Sequence, residues 1–254
     1  MGYMEGRKHN DLPGAYQSLS KETKALYSKA DFVQYYGQFT AMEWQRVGPV
    51  HLMGKEWARV VVYDLAIIRS DGTKVQLPDV AYYVHKADSQ WGLALINPVL
   101  GRLDAVQTSQ EAMETAQALM KVHPYNSNVH TQLYFAYMAA GDAARAQGEL
   151  RVLYKIAAPS ELASLQALKA NFLLQNKQAA HAVKALGMAL KLGQAYPETY
   201  SDAWRSTTLT TQAKAQLNLS QTEAARQALT QALEANPRNA EARSLLDGMA
   251  KPRT

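Results

Sequence analysis

The sequence predicts an α+β domain, in which short helices lie on a curled antiparallel sheet, followed by an all-α superhelix of repeated helix pairs. Up to about Asp104, a short helical stretch leads into long segments with strand periodicity, and after Asp104 the strand patterns disappear. Alanine then becomes abundant, with 32 residues after Asp104 and 9 before it, which favours helices that pack closely. We therefore predict two domains, residues 1–104 and 105–254.

The first domain begins with helix signals. Ser20 and Asp31 each stand where a side chain can cap the start of a helix. After Asp31, aromatic side chains recur every three or four positions, which is the helical period: Phe32, Tyr35, Tyr36 and Phe39. These patterns predict helices before the sheet.

The period then changes to two, which predicts strands over residues 58–69, 74–86 and 90–97. The first two are joined by Asp71-Gly72, the strongest short signal for a hairpin. With these two residues as the whole loop, Asp64 lies opposite Asp79 and Ala58 lies opposite His85.

This register yields weak catalytic candidates on one face of the hairpin: Asp64, Asp79, Tyr83 and His85. Two carboxylates held together can share a proton and act as acid and base. Like charges in direct opposition are also unfavourable, and Pro78 cannot donate to a ladder. The alternative is a bulge at Pro78, which would slip the register by one and send Asp79 to the other face.

The middle of the hairpin is apolar on both faces, so both faces need cover. We expect the local helices to cover one face. The other face is predicted to pack on the second domain or on a second copy of the protein, which would make a homodimer.

The first domain resembles the nuclear-transport-factor-like or ketosteroid-isomerase-like cone, also described as a cystatin-like roll. The resemblance covers about residues 3–100 and rests on the D-x-x-x-A-Y-x-x-L-S run at 11–20, the Phe/Tyr helix and the long hairpin ending in a Trp-containing strand. Enzymatic relatives place Asp, Tyr and His in the cavity, which implies a ligand-binding alternative. The family begins with a longer helix, so we expect an upstream helix and an export signal before residue 1, which would make the protein periplasmic or envelope-associated, and otherwise cytoplasmic.

Proline spacing predicts the architecture of the second domain. Pro124, Pro159, Pro197 and Pro237 recur every 35 to 40 residues, a period typical of stacked helical hairpins. The predicted helices span residues 106–122, 127–140, 143–156, 160–174, 178–192, 198–218, 221–235 and 239–249.

The second domain resembles the tetratricopeptide repeat. In the first unit the matching residues are Leu133, Tyr137, Gly141-Asp142, Ala146 and Leu150, and Tyr134 departs from the pattern because a small residue usually stands there. The second unit aligns Ala170, Leu173, Ala182, Leu186 and Ala189, and the third aligns Ala213, Ala225, Leu229, Ala232 and Pro237.

The repeat resemblance implies a concave groove that holds an extended peptide or a helix. The candidate groove residues, by matching positions, are Asn128, Thr131, Phe135, Met138, Ser164, Ala167, Asn171, Gln175, Thr207, Thr210, Lys214 and Asn218. These side chains are mostly neutral and rich in amides. They lack the Lys/Arg clamp with which co-chaperone relatives grip C-terminal carboxylates.

Composition excludes several classes of function. The chain has no cysteine, which excludes thiol catalysis and thiolate metal sites, and its six histidines fit no metal-ligand spacing. It has no glycine-rich phosphate loop, no dense Lys/Arg stripe for nucleic acid and no apolar run of about 18 residues that could span a membrane. We expect no cofactor and no metal.

The sequence therefore favours a non-enzymatic protein–protein interaction adaptor or scaffold in a bacterial envelope-associated assembly. One alternative is a small-ligand-binding protein or enzyme that uses the cavity of the cone, with the helical array as an accessory. A second alternative is a structural subunit that dimerises through the open face of the sheet.

Overall fold

The computed structural model describes residues 2–95 and 109–250, so the boundary predicted at Asp104 lies outside the described residues. Contacts divide the chain into two compact units, Met1–Ala158 and Pro159–Thr254, called the first unit and the second unit below. The first unit holds the sheet, the helices before it and the first helix pair of the repeat region. The second unit holds the helices that follow.

Four short helices open the first unit: α1 (Gly2–Lys8), α2 (Leu12–Gln17), α3 (Lys21–Leu26) and α4 (Lys29–Tyr36). Ser20 caps α3, as predicted, because its hydroxyl accepts from the backbone N–H of Thr23 at 3.2 Å. The predicted cap at Asp31 is wrong. Ser28 caps α4, and Asp31 completes a capping box by accepting from the backbone N–H of Ser28 at 2.9 Å.

The described strands are β1 (Phe39–Glu43), β2 (Arg46–Val47), β3 (His51–Leu52), β4 (Trp57–Arg69), β5 (Lys74–Ala87) and β6 (Gln90–Ala94). They form one antiparallel sheet in the order β1-β4-β5-β6, with β2 and β3 also paired to β4. Residues 18–20 run along the far side of β6, where the backbone N–H of Ser20 donates to Leu93 at 2.8 Å and that of Leu93 donates to Ser18 at 2.9 Å. This segment covers that edge of the sheet at Leu93.

The loop of the β4–β5 hairpin is one residue longer than predicted. Arg69 donates its backbone N–H to the carbonyl of Thr73 at 2.9 Å, which leaves Ser70, Asp71 and Gly72 as the loop. Gly72 has a φ of +82°, so this is the three-residue loop in which a left-handed residue follows a type I turn. The Asp-Gly pair is compatible with both loop lengths.

The extra loop residue shifts the register by one. Asp79 lies opposite Tyr63 rather than Asp64, and His85 lies opposite Trp57 rather than Ala58. The predicted opposition of Asp64 and Asp79 is therefore wrong, whereas Asp79, Tyr83 and His85 remain at alternating positions of the same strand.

Both strands of the hairpin change face near Asp64. Val62 and Leu65 belong to one core cluster together with Val80 and Leu77, although residues three apart on a regular strand point to opposite faces. Asp64 has a φ of +52° and accounts for the change. Val62 pairs with Val80 and Leu65 with Leu77 in the same register, so the slip expected from a bulge at Pro78 does not occur.

The first unit continues with α5 (Ser109–Met120), α6 (Ser127–Ala139) and α7 (Ala143–Ile156). The second unit contains a 3-10 turn (Pro159–Glu161), α8 (Leu162–Gln175), α9 (Ala179–Gly193), α10 (Asp202–Leu217), α11 (Thr222–Ala235) and α12 (Ala240–Ala250). These bounds confirm the predicted helices to within a few residues, apart from residues 106–108, which lie outside the described part. The prediction for α10 began too early because Ser201 is its cap. No described helix has the length and apolar character needed to cross a membrane.

Candidate functional site

The helix pairs α6–α7, α8–α9 and α10–α11 share one turn geometry. Each turn has one residue with positive φ: Gly141 at +74°, Lys177 at +58° and Ser220 at +59°. The following residue donates its backbone N–H to the carbonyl five positions earlier: Asp142 to Tyr137 at 2.9 Å, Gln178 to Leu173 at 2.8 Å, and Gln221 to Gln216 at 2.9 Å. This is the Schellman motif. Only Gly141 could be predicted from sequence, because Lys and Ser are not typical residues for a left-handed position.

The shared turn fixes equivalent positions in the three pairs. The alanines five residues after it, Ala146, Ala182 and Ala225, are all fully buried. The leucines nine residues after it, Leu150, Leu186 and Leu229, are also buried. A small residue at the first position lets the two helices of a pair approach closely. The helical part is therefore a tetratricopeptide-like series of helix pairs, as the resemblance implies.

Counting back six residues from each turn locates one candidate groove position per pair. Phe135 is 49% exposed on α6, and Asn171 is exposed on α8. Lys214, on α10, is half-buried and forms an ion pair with Glu241. The three equivalent positions thus carry an aromatic ring, an amide and a cation that already has a partner.

The other candidate groove residues differ in accessibility. The exposed ones are Asn128, Gln175, Thr207 and Asn218, and the half-buried ones are Thr131, Met138, Ser164 and Ala167. Thr210 is 1% exposed, so it does not present a surface to a partner. Its hydroxyl donates to the carbonyl of Ser206 at 2.8 Å and accepts from the side-chain amide of Asn239 at 3.0 Å.

Asn239 is a structural residue that the sequence did not reveal. Its Oδ1 accepts from the backbone N–H of Ala242 at 3.0 Å, which caps α12, while its Nδ2 also donates to Ser206 at 2.8 Å. One amide therefore joins α12 to α10. Asparagine at a helix start is a recognisable cap signal, but its second set of bonds depends on the packing of distant residues.

The sheet candidates Tyr83 and His85 lie in an aromatic cluster within the first unit, formed by Trp57, Tyr83, His85, His123 and Tyr125. Trp57 stacks on His85 with 4.5 Å between ring centroids and on His123 with 5.8 Å. Tyr83 contacts His123 edge-on at 5.3 Å and stacks on Tyr125 at 5.8 Å. The cluster joins β4 and β5 to the segment before α6.

Two side chains of the sheet also bind the end of α7. The hydroxyl of Tyr83 donates to the carbonyl of Ile156, and Nη2 of Arg59 donates to the carbonyl of Ala157 at 2.5 Å. A cation is favourable at a helix C-terminus, where backbone carbonyls lack helical partners. This face of the hairpin is thus covered by a helix pair of the same unit.

The four weak catalytic candidates do not form one site. Asp64 is exposed at the kink, whereas Asp79 is buried. Asp79 and Tyr83 are four residues apart on β5, a distance of about 13 Å along the strand. The ring nitrogen Nδ1 of His85 lies 2.9 Å from a carboxylate oxygen of Glu22, so His85 is held by a residue of α3.

Two histidines in this part of the first unit are buried: His123, which belongs to the aromatic cluster, and His130 on α6. Nδ1 of His130 lies 2.5 Å from Glu149, and its Nε2 lies 2.8 Å from the carbonyl of Pro124. His123 is 4% exposed, and its Nδ1 is buried with no hydrogen-bond partner within residues 2–95 and 109–250. Burial, aided by the nearby charge of His130, lowers the pKa of His123 to about 3, so its ring is neutral at pH 7. Among the described residues, no group of His, Asp and Glu side chains has the arrangement of a metal site.

Comparison with known proteins gives distant structural likenesses. No protein-family model matches the chain, and no curated protein matches it. Two crystal structures of MamA align with 56% of this chain and 76% of theirs, at 15% identity and TM-scores of 0.45 and 0.41. The crystal structure of the APC/C hetero-tetramer Cut9–Hcn1 aligns with 56% of this chain at 17% identity and a TM-score of 0.48, and the alignment spans 27% of that chain.

Proposed function

We propose that this protein is a non-enzymatic scaffold that holds a protein partner on the first helices of its helix pairs. The observation that carries the proposal is the exposure of Phe135. It is 49% exposed, whereas Val129, Leu133 and Tyr137 of the same helix are buried. Covering an exposed aromatic side chain with a partner stabilises the complex, because apolar surface leaves water. Aromatic residues are also enriched at protein interfaces.

The chemistry of the equivalent positions indicates the kind of partner. Near Phe135 on α6 the candidate residues are neutral, and on α8 and α10 the exposed ones carry amides or hydroxyls, such as Asn171 and Asn218. Amides both donate and accept, so they can pair with the backbone of an extended peptide. Lys214 is already paired with Glu241, so it is not a free clamp for a carboxylate. We infer a partner segment with an apolar anchor and little charge.

Affinity capture from a native lysate tests the proposal. The double variant Phe135→Ala/Asn171→Ala is expected to lose most of the captured partner, because it removes the exposed ring and an equivalent amide. The matched control is Met188→Ala on α9, the second helix of its pair, where Met188 is 47% exposed. This control should retain the partner, and thermal melting should show both variants folded. Retention that the double variant leaves unchanged would contradict the groove assignment.

Two finer parts of the proposal have their own tests. We place the protein in an assembly associated with a bacterial cell envelope, and fractionation of the native cells checks this. We also propose a homodimer through a part of the sheet that the pair α6–α7 does not cover, for which light scattering should give about twice the mass of one chain. A monomeric mass at micromolar concentration would remove the dimer from the proposal.

A further inference from the structure

We propose that the interior of the sheet part of the first unit binds a small organic carboxylate with an aromatic body, and that Arg7 is its charge partner. This site is separate from the candidate groove residues and does not depend on the partner-binding proposal. It is carried by a buried guanidinium that forms no ion pair with any described residue, and by the tyrosine rings around it.

Arg7 is buried between α1 and the sheet, with 1% of its surface exposed. Its Nε donates to the sulfur of Met42 at 3.4 Å, and its Cζ lies 5.0 Å from the centroid of the Tyr36 ring. Its Nη1 is buried and has no hydrogen-bond partner in the part of the chain that the structure describes. The ion pairs of the described residues include none to Arg7.

These contacts do not compensate the charge. Arginine stays protonated in proteins, so it cannot avoid the cost of burial by losing its proton. An isolated buried charge is strongly unfavourable, a thioether sulfur is a weak acceptor, and an aromatic ring offers a cation no full counter-charge. A counter-charge is therefore expected to reach Arg7 when the site is in use.

The neighbouring tyrosines cannot supply that charge. Burial raises the pKa of Tyr3 to about 12, against the opposing pull of Arg7, and raises the pKa of Tyr36 well above its ordinary value. Burial also raises the pKa of Tyr82. The three phenols are neutral at pH 7, so they can only line the site.

The lining indicates the class of ligand. Tyr3 and Tyr82 lie with their ring centroids 6.1 Å apart, and Trp44 and Tyr82 pack against the core cluster that contains Met42. A carboxylate fits the donor fork of a guanidinium, and a flat apolar body fits aromatic walls. Inorganic phosphate would satisfy the charge but leave the walls without a partner. Tyr3 and Arg7 both lie on α1, so the charge partner and one aromatic wall belong to the same helix of seven residues.

Thermal shift and isothermal titration with benzoate, phenylacetate, benzamide and inorganic phosphate test the proposal. We expect benzoate or phenylacetate to raise the melting temperature and to bind saturably. Benzamide has the same ring without the charge, and phosphate has charge without the ring, so both should bind at least about tenfold more weakly.

Variants assign the binding to Arg7. Arg7→Met is expected to abolish carboxylate binding without lowering the melting temperature of the free protein, because an uncompensated buried charge is removed. The control is Arg46→Met, since exposed Arg46 also stacks on a tyrosine, with 3.8 Å from its Cζ to the Tyr63 centroid. This control should bind as the wild type does. The proposal is overturned if neither carboxylate binds, if Arg7→Met binds unchanged, or if Arg7→Met unfolds while Arg46→Met folds.

Discussion

The two units fix their helix pairs by different kinds of contact. In the first unit, the pair α6–α7 is attached to the sheet by directional bonds from Arg59 and Tyr83 and by the aromatic cluster, which contains two histidines. In the second unit, the pairs pack through fully buried small residues such as Ala182 and Ala225. Attachment to the sheet therefore depends on protonation and hydrogen-bond geometry, whereas packing of the repeats depends mainly on side-chain volume.

The largest expected effect follows from volume in the second unit. Leu229 is fully buried among Leu209, Ala225 and neighbouring alanines, so Leu229→Ala should lower the free energy of unfolding by about 3 kcal/mol. Hydrogen exchange should show the loss of protection in residues 202–250. Leu52→Ala is the control, since Leu52 is 71% exposed, and its effect should be within about 0.5 kcal/mol. Equal losses in the two variants would show that packing volume does not set the stability of the repeats.

The next effect depends on pH and belongs to the first unit. The pKa of His123 is lowered from 6.5 to about 3, so the folded state holds the ring neutral while the unfolded state binds a proton below pH 6.5. The stabilisation is present above pH 6.5 and is lost as the pH falls toward 3. The free energy of unfolding should therefore be about 2 kcal/mol lower at pH 5 than at pH 7.

Urea unfolding at pH 7 and pH 5 measures this loss. His123→Phe keeps an aromatic ring against Trp57 and Tyr83 but cannot titrate, so it should remove most of the difference between the two pH values. His181→Phe, at an exposed position on α9, is the control and should leave the difference as in the wild type. A wild-type protein equally stable at both pH values would contradict the contrast between the units.

Local patterns predicted the helix pairs well and the sheet less well, for physical reasons. The buried positions Ala146, Ala182 and Ala225 follow from helical period and residue size, which are visible in sequence. The hairpin register cannot be derived from the sequence, because Asp71-Gly72 suits loops of two or three residues. One extra loop residue changes the cross-strand partner of every residue in the hairpin.

Contacts between distant positions leave no local pattern in the sequence. Arg59 and Ala157 are 98 positions apart, and the burial of Arg7 depends on Met42 and Tyr36 from two other elements. The predicted groove positions contained one residue, Thr210, that is buried and accepts a hydrogen bond from Asn239. Residue type and repeat position could not show that bond.

The smallest expected effect concerns the shared turns. Lys177 and Ser220 adopt the left-handed conformation that Gly141 adopts without strain. Lys177→Gly should therefore stabilise the protein by about 0.5 to 1 kcal/mol in urea unfolding, while Gly141→Ala should destabilise it by about 1 kcal/mol. A loss of stability in Lys177→Gly would mean that the lysine side chain contributes more than its backbone strain costs.

The segment 18–20 along β6 has a consequence for behaviour at high protein concentration. An open strand edge can template the addition of strands from other molecules, which is a first step toward fibrils. Here the backbone groups of Leu93 are already occupied, and Gly92 permits an approach so close that a Cβ at that position would lie 2.5 Å from Cα of Ser20. A single glycine thus lets the chain cover its own strand edge at Leu93, where no strand of another molecule can then pair.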